Sequence, residues 1–241
     1  MHDVWMVGPV ILPVVWLVTA ISLIIGFLFL RYFSPYKEKS HQIIRDRTAN
    51  GVIFIIIGFY FGSIPLNMTT FLRDPLAVLS YPSGQYELIM GLLIALIYFI
   101  IQHIKKQAFM RDTLTALFFV VLVADFIFAF STGSSGSTVT TESIPFPEHP
   151  TALYTMLITG TAAMLLVKTM QIPLERRAEY TLLTFIGWSF GKWTITSFEV
   201  TSHFFSVYVT DDFYLFFMLA TAVVLILKIA IKKKQVIGWK N

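Results

Sequence analysis

Apolar residues fall into seven runs, at 7–30, 51–66, 88–104, 113–130, 152–167, 180–198 and 213–231, each separated from the next by a polar stretch. A helix needs about 20 residues to cross the hydrocarbon core of a bilayer, so each run predicts a membrane-spanning helix. The second and fifth runs are short, and the pattern predicts that they extend into their flanks. No internal repeat is visible and the linkers are mostly short, so residues 1–241 predict a single all-α, polytopic membrane domain of seven helices. Two connections are longer. Residues 65–86 carry Pro65, Pro75, Pro82 and Gly84, and residues 131–150 open on a Ser/Gly-rich stretch and end in Pro145, Pro147 and Pro150. The Ser-rich half predicts a flexible, solvated loop.

Composition supports the membrane environment. The chain is 56% hydrophobic and 13% charged, against roughly 25% charged residues in a soluble domain. Charge then orients it. Of the 18 Lys and Arg, all but Arg73 and Lys192 lie in alternate connections or at the C-terminal end. They run from Arg31 to Arg47, through Lys105, Lys106 and Arg111, to Lys168, Arg176 and Arg177, and then from Lys228 to Lys240. The other side holds Asp3, Asp74, Glu87, Glu142, Glu148, Asp211 and Asp212. Because Lys and Arg concentrate in cytoplasmic loops, the N-terminus is predicted outside and the C-terminus in the cytoplasm. The net charge of +4 is thus spent on anchoring, and no nucleic-acid partner is implied. Met1-His2-Asp3 offers no basic leader, so the first run is expected to be a retained helix. Trp5, Trp16, Tyr81, Tyr86 and Tyr208 are candidates for interfacial belts.

Ionisable groups inside spans cost about 2.5–3.5 kcal/mol on insertion scales and are functional candidates. Asp125, Lys192 and Glu199 fall within or at the ends of runs on the predicted outer half, with Glu87, His149 and His203 at the outer mouth. Trp188, Lys192, Thr196, Glu199 and His203 recur at helical spacing and predict one polar face on the sixth helix. Asp125 or Glu87 could pair with Lys192, and Asp125, Glu199 and His203 are candidates for an ion pair or relay with it; Lys192 could equally hold an anion in an outward-facing cavity. The five His residues form no H-x-x-x-H or H-E-x-x-H pattern, so no metal is predicted. No cofactor is implied either. With no cysteine there is no disulfide and no thiol nucleophile.

The run His149-Pro150-Thr151-Ala152-Leu153-Tyr154 resembles the H-P-[ST]-x-L-Y-E element of the bacterial prolipoprotein diacylglyceryl transferases. Asp74-Pro75 followed by Gly84 is similar to that family's Asn-Pro…Gly-Gly connection. Gly187-Trp188-Ser189-Phe190-Gly191-Lys192 is similar to its G-Y-G-x-x-R element, with Lys192 at the Arg position. The resemblance extends over the chain in order and spacing. It implies a seven-helix, N-out protein of the bacterial cell membrane that moves a diacylglyceryl group from phosphatidylglycerol to a lipoprotein cysteine. His149, Glu87 and Tyr154 would then be the catalytic candidates, with His149 or Glu87 as base. Lys192, Trp188, Thr151 and Arg73 would hold the lipid headgroup, and the partners would be a phosphatidylglycerol-like phospholipid and lipoprotein signal segments.

The sequence also departs from that family. Tyr86-Glu87-Leu88 stands where it keeps a glycine-flanked His. Its G-R-x-G-N-F-x-N-G-E signature meets residues 125–134, so that Phe126 replaces the Arg, while Thr132 and Ser134 replace an Asn and a Glu. Thr155 replaces the closing Glu of the fifth-helix motif. A divergent transferase is therefore one expectation. A non-catalytic lipid- or lipoprotein-binding membrane protein is a second, and a small transporter or accessory protein a third.

Overall fold

The computed structural model describes residues 4–7, 10–80, 82–105, 110–139 and 147–238. The expectations that fall on His2, Asp3, Tyr81, Lys106, Glu142, Pro145 and Lys240 lie outside the described residues. The chain is mostly helical. Among the described residues, six helical stretches are long and apolar enough to cross a membrane: Val14–Tyr32, Lys39–Leu66, Gln85–Ile104, Met110–Thr132, Thr151–Met170 and Asp212–Lys232. This is the build of a polytopic membrane protein.

The main elements, in chain order, are β1 (Val4–Val7), β2 (Val10–Pro13), α1 (Val14–Tyr32) and α2 (Gln42–Phe61), then the short α3 (Ser63–Leu66), α4 (Met68–Phe71) and α5 (Pro75–Leu79). They continue with α6 (Gln85–Ile104), α7 (Met110–Thr132), α8 (Thr151–Met170), α9 (Leu174–Thr196), β3 (His203–Phe204), β4 (Val207–Tyr208) and α10 (Asp212–Gly238). α9 is 23 residues long but falls outside the apolar six, because its first turns carry Arg176, Arg177 and Glu179 and its later turns Lys192.

Three boundaries differ from the sequence expectation. The first apolar run begins as an antiparallel hairpin, in which Val4 pairs with Pro13 and Val7 with Val10. The helix starts only after Pro13, which is itself extended at φ −60°, ψ 127° and disfavours helical backbone in the residue before it. The 65–86 connection is partly helical: the Asp74 carboxylate accepts the Ala77 N–H at 3.1 Å, and Pro75 occupies the first turn of α5, where its missing N–H is harmless. The Ser-rich connection is tied down on both arms. Thr138 bridges Glu148, Gly136 donates to the His149 carbonyl, and Ser137 donates to that of Phe198.

α7 is the axis of the bundle. It packs on α1, α2 and α8, while α6 packs on α2, α9 on α8, and α10 on α9. Its surface is cut for this, with Thr113, Thr115, Ala116, Val120, Ala124 and Ala129 all buried. Between apolar helices in lipid, close approach supplies much of the cohesion, and small residues permit it. Gly58 of α2 lies against Gly91 of α6, and a Cβ on either would strike the other helix's backbone.

The end of the bundle rich in Lys and Arg is locked by a buried ionic knot. Asp112, at the start of α7, accepts the Arg177 guanidinium from α9 and the Tyr36 hydroxyl at 2.9 Å. Arg177 also donates to the Ile172 carbonyl at 3.0 Å. Burial, and then the Asp112 charge, push the Tyr36 hydroxyl well above its ordinary pKa of 10. The opposite, acidic end is more open.

Candidate functional site

At the acidic end, α7, α8 and α9 enclose a cavity of about 540 Å³ with Asp125 and Lys192 in its wall. That volume lies within the range of small-ligand sites, about 300–1,000 Å³. Asp125 comes from the last third of α7 and Lys192 from that of α9. Lys192 Nζ stands 3.5 Å from Asp125 Oδ2 and 5.5 Å from the centroid of the Tyr214 ring on α10. Both side chains are almost fully buried, Lys192 at 6% exposure and Asp125 at 2%. Opposite charges at similar depth on neighbouring helices satisfy one another, since either alone would be very costly there. Yet Oδ2 accepts no hydrogen bond from the described residues, so the pair is a charge contact without hydrogen-bond geometry.

Beneath the pair lies an aromatic cluster. Trp188 is edge-on to Phe118, Phe204 and Tyr214, and its indole nitrogen finds no hydrogen-bond partner among the described residues. Trp188 does not line the cavity; its place is packing below the pair.

The polar face expected on one helix is built in two parts. α9 ends at Thr196, and the backbone N–H groups of Ser197, Phe198 and Glu199 bond three residues back, to Thr194, Ile195 and Thr196. Beyond them Val200, Thr201 and Ser202 favour extended or locally bonded backbone. Glu199 and His203 therefore reach the cavity from a folded-back segment. This segment closes as the β3–β4 hairpin, His203 opposite Tyr208 and Phe204 opposite Val207. Its turn holds Phe205 at φ +53°, a left-handed conformation that costs an ordinary residue about 1–2 kcal/mol. The buried Phe205 ring packs edge-on against Phe128 at 5.6 Å, and that burial offsets the strain.

The electrostatics follow from burial. Desolvation raises the Glu199 carboxyl above its usual value, with nearby Lys192 opposing. Desolvation lowers His203 below its ordinary 6.5 and so disfavours the charged imidazolium. The Tyr214 hydroxyl donates to the His203 carbonyl at 2.7 Å, and Ser202 Oγ donates to Asp211 at 2.7 Å; both fix the segment over the cavity.

Among the sequence candidates, Asp125, Lys192, Thr151, Glu199 and His203 meet in this cavity. Thr151 also donates to the Ser134 carbonyl at 3.2 Å, binding the first turn of α8 to the 133–136 loop. The other candidates lie elsewhere. Glu87 is committed to its own helix start, accepting the Gly84 N–H at 2.8 Å as half of a capping box. The His149 ring stacks on Phe198 at 4.6 Å, with Tyr154 Oη 3.5 Å from its Nδ1. Tyr154 itself lines an apolar groove on the α8–α9 surface. Arg73 is exposed between α4 and α5. Thr132, Ser134 and Thr155, which are not among the sequence candidates, also line the cavity. Their signal was present, since each stands at a position aligned with a polar residue of the resembled family's motifs. Among the described residues, no group of His, Asp and Glu is disposed to hold a metal.

No protein-family model matches the chain, and no curated protein matches it.

Proposed function

We propose that this chain is a seven-span protein of a bacterial cell membrane, N-terminus outside, whose outer cavity holds the headgroup of a membrane phospholipid. α9 would be the seventh span, tolerated despite its charges because Arg177 and Lys192 each meet a buried carboxylate on α7. The observation that carries the proposal is the cavity itself: hydroxyls and a Lys–Asp pair open at one end of a bundle whose flanks are apolar. A kinship with the prolipoprotein diacylglyceryl transferases is part of it. Thr132, Ser134, Thr155 and Lys192, at positions matching that family's motifs, line one cavity in this chain.

The geometry favours binding over the family's reaction. His149, Glu87 and Tyr154 are off the cavity, and Asp125 neutralises the cation that would hold an anionic headgroup. A transferase remains the second reading for one reason: Glu199 and His203 stand in the cavity wall, and either is a base by residue type.

Two experiments test this. The chain lacks cysteine, so single cysteines can map topology with a membrane-impermeant maleimide. Ser80→Cys should label on intact cells and Gln171→Cys only after permeabilisation; the reverse pattern defeats the orientation. Purified protein should retain phospholipid through delipidation, and a Lys192→Ala variant should lose it. Growth of cells depleted of the transferase, rescued by this chain, would establish the second reading instead.

A further inference from the structure

We infer that the cavity takes a ligand carrying both a phosphate and a primary ammonium, as an ethanolamine headgroup does, with the phosphate against Lys192 and the ammonium between Asp125 and Glu199. This rests on the headgroup-binding function proposed above and names its ligand class.

The charges lining the cavity set the first constraint. One ammonium, Lys192, faces two carboxyl groups, Asp125 and Glu199, and desolvation of the half-buried His203 disfavours a second cation there. The wall therefore carries no excess of positive charge. A purely anionic headgroup that drew Lys192 away would leave Asp125 buried, unpaired and beside the incoming phosphate. Such a carboxylate is among the costliest things a protein interior can hold. A zwitterion avoids this, because its two charges replace the two halves of the internal pair.

The geometry of the pair sets the second. Asp125 Oδ2 is fully buried, lies 3.5 Å from Lys192 Nζ and accepts no hydrogen bond from the described residues. A buried acceptor left unsatisfied calls for a donor. A primary ammonium brings three N–H donors, as any alkylammonium does, whereas a quaternary ammonium brings none. Choline-type ligands would find aromatic surface in Phe128, Phe205 and Tyr208 but would leave that oxygen bare. On the other side, the hydroxyls of Ser134 and Thr155 suit phosphate oxygens, whereas that of Thr132 donates to the Phe128 carbonyl of its own helix. A cavity of about 540 Å³ admits such a headgroup with water to spare.

The ligand could be a lipid or a soluble aminophosphate, and one titration separates them. The full chain, stripped in detergent, is titrated with phosphatidylethanolamine, phosphatidylglycerol and phosphatidylcholine bearing the same acyl chains, and bound lipid is counted by native mass spectrometry. Free phosphoethanolamine is added as competitor. One further charge-assisted hydrogen bond corresponds to about tenfold in affinity, so the ethanolamine lipid should bind about tenfold tighter than either other lipid. Glu199→Gln, a change on the folded-back segment that leaves the Lys192–Asp125 pair intact, should shrink that preference. Displacement by phosphoethanolamine would support the chemistry with a soluble source. Its failure to displace, with the lipid preference intact, would support a lipid source. Equal or tighter binding of phosphatidylglycerol, or equal binding of phosphatidylcholine, overturns the inference while leaving lipid binding standing. Retention of no lipid at all removes the proposed function itself.

Discussion

Asp125→Asn would leave the Lys192 ammonium buried beside a neutral amide. At about 4 Å and an effective dielectric of about 20, two unit charges attract by about 4 kcal/mol. Removing one partner of a buried pair costs about 3–5 kcal/mol in measured cases. Two features pull this site toward the lower bound. The Tyr214 ring lies 5.5 Å from Lys192 Nζ and still offers the orphaned ammonium a cation–π contact of about 1 kcal/mol, and the cavity admits water. The expected loss is therefore about 3 kcal/mol. Lys192→Met, which strands the carboxylate, should cost about the same. The double variant should also lose only about 3 kcal/mol, not the sum of about 6, because with both charges gone no uncompensated charge remains. SDS titration of the protein in mixed micelles, followed by tryptophan fluorescence, gives the three unfolding free energies. Additive losses, meaning no coupling between the two sites, would refute the claim that these residues satisfy each other.

Gly91→Leu should separate α6 from α2, because even a Cβ at Gly91 meets the Ile55 carbonyl; a loss of about 2–3 kcal/mol is expected from overpacking, read in the same titration. Arg177→Ala should cost about 3 kcal/mol by stranding the buried Asp112, and Asp112→Asn in the same chain should recover most of it. Stability should also depend on pH through the cavity. Burial holds Glu199 above its ordinary 4.5, so its contribution is full below pH 4.5 and is lost as pH rises through the folded-state value. His203, held below 6.5, behaves oppositely: its contribution is present above pH 6.5 and is lost as pH falls through its lowered value. Glu199→Gln should raise the melting temperature at neutral pH and remove the first of these slopes in a series from pH 4 to 8; an unchanged slope would exonerate Glu199.

Position along each helix was legible in the chain, and direction around it was not. Asp125 was one of two partners the pattern offered Lys192, Glu87 being the other, because opposite charges in apolar runs have few other ways to be satisfied. Glu87 and His149 lie at similar depth, near the acidic end, yet both are turned to local tasks, one capping α6 and one stacking on Phe198. For Glu87 the signal was present, since Gly84-Gln85-Tyr86-Glu87 puts an acid at the third position of a helix, where it reaches back to the capping N–H. For His149 there was none, because the ring contact depends on where Phe198 ends up after α9 has stopped. The folded-back segment was hidden for the same reason. Spacing from Trp188 to His203 continues a helical stripe, and only tertiary burial of Phe205 against Phe128 makes a positive φ tolerable at a residue that ordinarily avoids it. Azimuth is decided where helices touch, and there the informative residues are the silent ones. Gly58 and Gly91 set how closely α2 approaches α6, and the run of Thr and Ala on α7 sets which faces of α8 and α1 turn inward. A polar residue in an apolar run therefore reveals that a partner must exist, while the small residues opposite it determine which partner it meets.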